Sequence, residues 1–537
     1  MSKTFSLLAA AGFVVSAAAP LAAQDTDRVK ELIQQAMAQQ PQPAPASPAT
    51  QPSGPIVNLT EQQAVERATE RNLNIQAERI TPQTWDFSMA ATRANYLPTL
   101  TSTVQHQDSN TPSSNAFSGG ARTLSKNQNW SGGVTQNLWK GGGNYNLQWT
   151  NRRSDTNSNS QLCNPCFNSG VTATFTQPLL RDFKIDSVRA QVRTNEINQD
   201  IAELNLSATV ESTLAQTRNA YWELVYAYQA VEAAQRSLDL AAKLVKDNAA
   251  RVEIGTMAPI DVVQAQAEEA TRRQQLVSAQ ATLRNNELAL KRLIVAGTDD
   301  DLWRATIVPS DRPTVAAQEV DLEAAVRTAL SRRTDLAVTK KNLEASDVTL
   351  KAMHNLTLPN LSLVGSMNLA GQAGSVQDRP DPLNPGQLIR SPLAGTYWTT
   401  LQRISTLDAP TWSLQMRFDY PIGTTSQKAN FARQQLLRRQ TEASLKTTEL
   451  TIATEVTAAA LAVRNSLEAM QAAAAARELS DRRLEAAQSK FEVGMATNFE
   501  VVQAQRDLAD ARNRELREQL NYQRALVDFQ RVQVSPR

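Results

Sequence analysis

Helix-breaking residues are scarce over most of this chain. The sequence has 537 residues but only 19 glycines. Between residues 181 and 359 the glycines are Gly255 and Gly297 alone, and no proline occurs between Pro421 and Pro536. A proline inside a helix costs roughly 3 kcal/mol and a glycine roughly 1 kcal/mol, so these tracts favour long uninterrupted helices. A string of small globular domains is therefore not expected.

Several kinds of ligand and charge are also scarce. The two histidines, His106 and His354, lie far apart, and the only cysteines are Cys163 and Cys166. These are too few soft ligands for most transition-metal sites. No Ser/His/Asp constellation and no phosphate-binding glycine loop occurs, so the sequence indicates neither an enzyme nor a cofactor. Lys and Arg number 55 against 53 Asp and Glu, which excludes the strong positive field that nucleic-acid binding needs.

The N-terminus carries the longest apolar stretch. Lys3 precedes the apolar segment Leu7–Val15, and small residues follow up to Ala23. This order is typical of a secretory signal peptide, which we place at 1–23. A membrane anchor is the alternative, but the stretch is shorter than the roughly 18 residues that a spanning helix needs. Residues 24–55 are rich in Pro, Ala and Gln and are predicted to be a flexible linker.

Cys163 and Cys166 are separated by two residues. In an exported protein this spacing favours a small disulfide that staples a loop. The alternative is a redox-active pair, which needs a helix N-terminus to lower the thiol pKa. The Asn, Ser and Gly residues around the pair are typical of a loop, so we expect the structural disulfide.

The second half of the chain repeats the first. Matching segments occur in the same order in both halves, which indicates two structural repeats. The matched segments, with offsets of 239, 263 and 261, are 252–266 with 491–505, Asn72–Leu73 with Asp335–Leu336, and 97–100 with 358–361.

Each repeat is predicted to contain a first helix, a β region, a very long helix, a glycine turn and a closing helix. At 1.5 Å per residue the long helices would span about 100 Å. Alternating steps of four and three residues between apolar positions, as at Tyr221, Leu224, Tyr228 and Val231, are typical of coiled coils. The predicted bounds are 56–297 for repeat 1 (helices 59–94, 184–253 and 260–295), 298–319 for an inter-repeat linker, and 320–534 for repeat 2 (helices 321–356, 425–493 and 499–533).

Alternating apolar and polar residues predict strands at 97–107, 169–178, 360–370 and 412–421. Their lengths are close to the 9–11 residues with which a tilted strand crosses a bilayer. One apolar and one polar face suits a barrel with lipid outside and water inside, although a soluble half-buried sheet is the alternative. Four strands cannot close a barrel, and an open edge in lipid leaves backbone groups unpaired. We therefore expect several copies of the chain to share one barrel.

A further pair of alternating segments, 130–139 and 145–149, flanks the turn Gly141–Gly143. These segments form either an extra hairpin of the barrel or part of an external loop, and we favour the loop. The proline-rich residues 371–410 are expected to be the matching external loop of repeat 2.

Two turn motifs carry a resemblance to a known family. Ile254–Val262 reads IGTMAPIDV and Val493–Val501 reads VGMATNFEV, similar to the Val-Gly-x-x-x-x-x-Asp-Val pattern of the TolC family of outer-membrane efflux proteins. With the signal peptide and the two repeats, the chain resembles this family from Val57 to Val534. The resemblance implies a mainly α fold with membrane β structure. The implied assembly is a homotrimer whose 12-stranded outer-membrane β-barrel continues as a long coiled-coil α-helical barrel in the periplasm.

The resemblance also implies a role. The trimer would be a passive exit duct of a tripartite efflux system, receiving substrates from an inner-membrane pump through a periplasmic adaptor protein. A duct for type I protein secretion is the alternative. A periplasmic coiled-coil structural protein or adaptor fits less well, because an adaptor needs a lipoyl-like β domain beside one helical hairpin. The sequence names neither the cargo nor the class of pump.

Functional residues are implied at the two turns. The resemblance makes the turns the periplasmic tips, and it puts Asp261 and Glu500 near the narrow end of the tunnel. Three copies of each acid would form rings that attract cations; stabilisation of the first helical turn is the other interpretation. Ala496 and Gln503, also near this constriction, depart from a latching arginine and a second acid of the family pattern. The predicted adaptor-contacting residues are Gly255, Thr256, Met257, Gly494, Met495 and Ala496.

Overall fold

The structure, a computed structural model, describes residues 55–113, 120–158, 161–311, 320–376, 379–380, 388–389, 392–420, 422–423 and 425–536. The predicted signal peptide and, except for Pro55, the predicted linker lie outside the described residues. Within the described part, no helix is both long enough and apolar enough to cross a membrane. The helices are α1 (Glu61–Arg71), α2 (Leu73–Arg93), α3 (Ser187–Glu253), α4 (Pro259–Ile294), α5 (Asp301–Arg304), α6 (Leu322–Arg332), α7 (Thr334–Leu356), α8 (Tyr397–Ser405), α9 (Ser426–Glu492) and α10 (Asn498–Val532). The strands are β1 (Ile56–Leu59), β2 (Thr99–Pro112), β3 (Arg122–Asn137), β4 (Asn144–Thr156), β5 (Cys163–Pro178), β6 (Thr306–Pro309), β7 (Asn360–Val376), β8 (Arg379–Pro380), β9 (Leu388–Ile389) and β10 (Pro410–Asp419).

Two helices of 67 residues, α3 and α9, dominate the helical region. Each is about 100 Å long at 1.5 Å per residue. Their N-termini are capped by Asp186 and Thr425, whose side chains accept hydrogen bonds from backbone amides of the first turn. Helix α4 returns along α3, and α10 returns along α9. Each repeat therefore contributes one long helical hairpin.

The first helix of each repeat is broken once, whereas the sequence predicted continuous helices at 59–94 and 321–356. The breaks fall at Asn72 and Arg333, which have nearly the same extended backbone (ψ 122° and 130°). The sequence reading was wrong here because neither residue is a strong helix breaker. Tertiary contacts of both side chains hold the breaks.

The helix boundaries also correct the alignment of the repeats. Helices α1 and α6 both have 11 residues, and the break that follows them shifts from 72 to 333, an offset of 261. Asn72 therefore corresponds to Arg333. The sequence match of Asn72 with Asp335, at an offset of 263, is wrong because the similar side chains of Asn and Asp outweighed the position of the helix end.

Six strands form one antiparallel sheet in the order β10-β7-β5-β4-β3-β2. Segments 130–139 and 145–149 contribute to β3 and β4, which are inserted between β2 and β5. The preference for an external loop is therefore wrong. Alternation of side chains predicts a strand but does not tell which strand it pairs with. In a single chain the sheet is open, with β2 and β10 as its edges.

The described part of residues 371–410 also differs from the predicted external loop, and the remaining residues of that loop lie outside the described residues. Strand β7 continues to Val376, and the short helix α8 packs against β7 and β5. A Cβ atom at Gly371 would collide with the carbonyl oxygen of Thr400, so this close approach of helix to sheet requires glycine.

The largest apolar cluster lies beside the inter-repeat segment. Strand β1 pairs with β6 in parallel, which joins the start of repeat 1 to the segment after it. The hydroxyl of the buried Tyr221 of α3 is a hydrogen-bond donor to residues at and just beyond the ends of these two strands. It lies 3.0 Å from the carbonyl oxygen of Leu59 and 2.8 Å from Asp311 Oδ2. Other members of the cluster are Ala64, Ala68, Trp222, Leu224, Val225, Tyr226, Leu290, Ile294, Leu302 and Ile307.

Candidate functional site

The two glycine turns have the same geometry. Gly255 and Gly494 adopt φ values of +78° and +79°, a region that favours glycine because it has no Cβ. The amide of the next residue reaches back to the last helical turn in both cases. Thr256 N lies 2.9 Å from Arg251 O, and Met495 N lies 2.8 Å from Lys490 O. Both long helices thus end in the same left-handed cap.

The returning helices begin differently. Helix α4 starts with a proline at its first turn and has no side-chain cap. Helix α10 starts with a capping box between Thr497 and Glu500, in which Glu500 Oε1 lies 3.4 Å from the backbone nitrogen of Thr497. Gln503 donates to Asp507 at 2.8 Å. Glu500 therefore has a defined structural role at the helix start, and its place in a ring at the pore stays a prediction, as do those of Asp261 and Gln503.

The two tips are joined within one chain by buried polar contacts. The side-chain amide of Asn248 donates to Asn498 Oδ1 at 2.9 Å, and Asn498 donates to the backbone oxygen of Asp261 at 3.3 Å. The guanidinium of Arg251 lies 4.4 Å from the ring centroid of Phe491, a cation–π arrangement. These contacts surround an apolar cluster made of Leu244, Ala265, Phe491, Val501 and Val502.

A buried ion cluster lies two turns above the tips, and sequence reasoning missed it. The side chain of Glu268 on α4 is only 1% exposed, and it accepts hydrogen bonds from Arg272 (2.7 Å) and from Arg506 of α10 (2.6 Å). The spacing of Glu268 and Arg272 by four residues is a readable signal for a pair on one helix. The third member comes from the other repeat, which no local pattern reveals.

The predicted adaptor-contacting residues differ in exposure within the single chain, and their contact with an adaptor stays a prediction. Met257 and Ala496 pack against the apolar cluster between the tips, so they face inward. Met495 is 73% exposed. Sequence reasoning missed two further pairs of exposed apolar side chains at the repeat offset of 239: Ile254 with Val493, and Ile260 with Phe499. Exposed apolar clusters of this kind mark interaction surfaces.

The six-stranded sheet presents one apolar face and one polar face. Val104 and Trp412, on its two edge strands, are 79% and 77% exposed in the single chain. One row of paired residues on the apolar face runs across all six strands: Leu100, Val134, Leu147, Ala173, Met367 and Trp412. The adjacent row on the other face is Thr101, Gly133, Gln148, Thr172, Asn368 and Thr411.

Cys163 and Cys166 are bonded to each other through their sulfur atoms. They begin strand β5, where the pairing register with β7 shifts, so the expectation that they lie in a loop is wrong. The Asn and Ser residues beside them are accommodated in the polar part of the strand. Among the described residues, no group of His, Cys, Asp and Glu is arranged to hold a metal ion.

Comparisons with known proteins identify the fold. The family model for outer membrane efflux proteins matches residues 64–295 and 325–532. The CmeC outer membrane channel of Campylobacter jejuni is 16% identical, with 88% of this chain and 85% of that chain covered and a TM-score of 0.62. The open MtrE channel of Neisseria gonorrhoeae is 18% identical, with 88% and 89% covered and a TM-score of 0.58.

The outer membrane protein VceC of Vibrio cholerae is 15% identical, with 88% of this chain and 96% of that chain covered and a TM-score of 0.60. No curated protein sequence matches the chain. The matched structures are channels and outer membrane proteins rather than enzymes, and their low identity means that they establish the fold. The family model covers both repeats and establishes that the chain is a member of that family. The chain therefore belongs to the outer membrane efflux protein family, as an efflux channel of the outer membrane whose helical part lies in the periplasm.

Proposed function

We propose that three copies of this chain form the exit duct of a tripartite efflux system and that its tips bind a periplasmic adaptor protein. Family membership implies a trimeric assembly with tripartite pump partners. The observation that carries the proposal is the open sheet. It has an apolar face and two unpaired edge strands, which in lipid need further strands to satisfy their backbone groups. Three copies related by rotation supply those strands.

The tips support adaptor binding by their surface chemistry. Ile254 and Val493 are 73% and 69% exposed, and each follows directly on the end of a long helix. Water contact at such positions is unfavourable by roughly 25 cal/mol per Å² of apolar surface. An adaptor whose helical hairpin ends in apolar residues would cover both patches. The two repeats would then offer two equivalent docking positions per chain.

Photo-crosslinking in intact cells tests this proposal. A photoreactive residue at Thr256 or Met495 is expected to crosslink a periplasmic adaptor, whereas the same residue at Leu450, which is exposed along the shaft of α9, serves as the control for a non-tip position. The pump recovered with that adaptor separates small-molecule efflux from type I protein secretion. A tip that crosslinks no adaptor, or a purified protein that is monomeric, would overturn the proposal.

We further propose that Asp261, Glu500 and Gln503 line the narrow periplasmic end of the tunnel. All three residues lie in the first two turns of the returning helices. Carboxylates at a narrow mouth concentrate cations and repel anions. The capping contact of Glu500 leaves its side chain exposed, so both roles are compatible.

Conductance measurements in planar bilayers test the pore assignment. Asp261→Asn combined with Glu500→Gln is expected to reduce cation selectivity. The matched control is Glu253→Gln combined with Glu492→Gln, which removes two charges from the ends of the outgoing helices at the same tips. If the first pair leaves the selectivity unchanged, or if the control changes it equally, the acidic-ring assignment is wrong.

A further inference from the structure

The hairpin β3–β4 spans the full height of the sheet. Its turn lies at the end of the sheet next to the helices. There Gln136 Nε2 donates to the carbonyl oxygen of Tyr96 at 3.0 Å, and Gln177 Nε2 donates to Gly141 O at 2.8 Å. The ring of Trp139 packs edge-on against Tyr96, with centroids 5.0 Å apart. The hairpin therefore descends from the outer rim to the periplasmic rim and returns.

The pairing of this hairpin is complete along its length. Strand β3 pairs with β2 from Thr135 to Arg122, and β4 pairs with β5 from Asn144 to Ser154. Strand β2 therefore has no direct pairing with β5. If the β3–β4 hairpin lay outside the barrel, β2 and β5 would be adjacent strands. The pairing register excludes that arrangement within the described chain.

The apolar face of the sheet continues across the hairpin without a gap. Val134 lies opposite Leu100, and Leu147 lies opposite Ala173. Trp149, two residues further along β4, lies opposite Val171. In an external loop surrounded by water, nothing would favour the alignment of apolar residues with the lipid-facing rows of the neighbouring strands. This alignment indicates that β3 and β4 contact lipid as the other strands do.

A helix from repeat 2 fixes the hairpin from the apolar side near the outer rim. The hydroxyl of Tyr397, the first residue of α8, donates to Asn151 Oδ1 of β4 at 3.0 Å. The same ring lies 5.6 Å from that of Trp130 on β3 and 6.0 Å from that of Phe167 on β5. One side chain thus contacts three successive strands. The hairpin is therefore held in the sheet by a segment about 250 residues away in sequence. Local strand propensity alone would not fix this position.

We propose that each chain contributes six strands to the shared barrel, so that the trimer closes an 18-stranded barrel instead of the 12-stranded one that the family resemblance implies. This inference rests on the proposed trimer. Strand β10 is antiparallel to β7, and each successive strand reverses direction as far as β2. Edge β2 of one copy therefore meets edge β10 of the next in antiparallel orientation, and the ring closes with an even number of strands, as bacterial outer-membrane barrels do.

The bore follows from the strand count. The diameter of a barrel grows roughly in proportion to its number of strands, so 18 strands give a barrel roughly 1.5 times as wide as 12. Barrels of 16–18 strands leave an aqueous channel. The row of residues on the polar face of the sheet, which would line this channel, consists of Thr, Gln, Asn and Gly. The barrel would therefore be wide and wet, and the narrow point of the duct would lie at the periplasmic tips.

Thiol labelling of the purified trimer in lipid tests the hairpin directly. The two native cysteines are disulfide-bonded, so an introduced cysteine is the labelled thiol. With a water-soluble maleimide, Gln148→Cys is expected to react several-fold faster than Leu147→Cys, because only the former faces the lumen. The matched pair on β7, Asn368→Cys and Met367→Cys, is expected to show the same contrast. Equal fast labelling of both hairpin positions, with the β7 contrast preserved, would place the hairpin in water and overturn the inference.

Electron cryomicroscopy of the same trimer in lipid nanodiscs counts the strands. Eighteen strands support the inference. A trimer with 12 strands and β2 paired directly with β5 contradicts it and leaves the proposed efflux duct intact. A particle that is not a trimer contradicts the assembly on which both proposals rest.

Discussion

The side-chain amides of Asn248 and Asn498 are hydrogen-bonded to each other across the two tips, with 2.9 Å between Asn248 Nδ2 and Asn498 Oδ1. Both residues are buried, at 0% and 4% exposure. One belongs to the outgoing helix of repeat 1 and the other opens the returning helix of repeat 2. The bond therefore couples the ends of the two hairpins within one chain.

Replacing Asn498 by alanine is expected to lower stability. The change strands the buried amide of Asn248, and an unsatisfied buried polar group costs about 1–3 kcal/mol. The expected result is a lower melting temperature in detergent, measured by far-UV circular dichroism. Asn513→Ala, an exposed asparagine on the same helix, is the control and should be nearly neutral.

A second change separates loss of the bond from loss of packing. Adding Asn248→Leu to Asn498→Ala removes the stranded amide, and replacement of both partners by apolar groups can be nearly neutral. The double variant should therefore recover part of the lost stability. If Asn498→Ala melts like the Asn513→Ala control, the coupling between the tips contributes nothing measurable.

The ion cluster above the tips predicts unequal effects of its members. Glu268→Ala leaves the buried guanidinium of Arg272 without its carboxylate partner, which costs about 3–5 kcal/mol. Arg506→Ala is expected to lower the free energy of unfolding much less. The Arg506 side chain is 50% exposed, and Glu268 retains its salt bridge to Arg272. Chemical denaturation of the detergent-purified protein measures both changes.

The neighbouring ion pair provides the control for this comparison. Glu269 and Arg273 are also four residues apart on α4, but the Arg273 side chain is 70% exposed. Exposed pairs contribute about 0–1 kcal/mol, so Glu269→Ala should have little effect. Equal losses for Glu268→Ala and Glu269→Ala would show that burial of the cluster does not matter.

Gly255 should tolerate alanine less well than Gly297 does. An added Cβ would have no heavy atom within 4 Å at either position, so packing does not distinguish them. Gly255 has φ +78°, while Gly297 lies outside the left-handed region. We expect Gly255→Ala to cost about 1–2 kcal/mol and Gly297→Ala to be nearly neutral in the same thermal assay. Similar melting temperatures for the two variants would contradict a backbone origin of the turn's preference for glycine.

The carboxyl group of Glu61 predicts a pH dependence in the region between the repeats. Burial is the main cause that raises its pKa above 4.5; Asp311 raises it further, and Arg218 partly opposes the shift. The folded state then holds the proton more tightly than the unfolded state. Its contribution to stability falls as the pH rises from about 4.5 through the folded pKa.

Glu61→Gln should remove this component. The variant is expected to lose less melting temperature than the parent protein between pH 4 and pH 7, because glutamine does not ionise. Glu66→Gln, an exposed position on the same helix, should behave like the parent. A variant at Glu61 with the parent's full pH dependence would assign that dependence to other groups.

The sequence predicted the parts of the fold that have local causes. The glycine turns predicted after the two long helices are present, and Gly255 and Gly494 both adopt a left-handed backbone there. The same local view misplaced β3 and β4, because their alternation is compatible with any half-exposed strand and the deciding contact, from Tyr397, comes from repeat 2. It also missed the salt bridge from Arg506 to Glu268, whose partners are 238 residues apart.

The order of strands in the sheet has a consequence for how the protein folds. Strands β2 to β5 form a meander of sequential neighbours, such as Asn146 bonded to Thr135 across 11 residues, whereas Thr172 of β5 meets Asn368 of β7 across 196. Short-range pairings form faster than long-range ones, because less chain entropy is lost in closing the loop. We expect the meander of repeat 1 to form a template while β7 is still far away in the chain. Repeat 2 would then add β7 and β10 to an existing edge, so that the N-terminal half of the chain sets the register that the C-terminal half must follow.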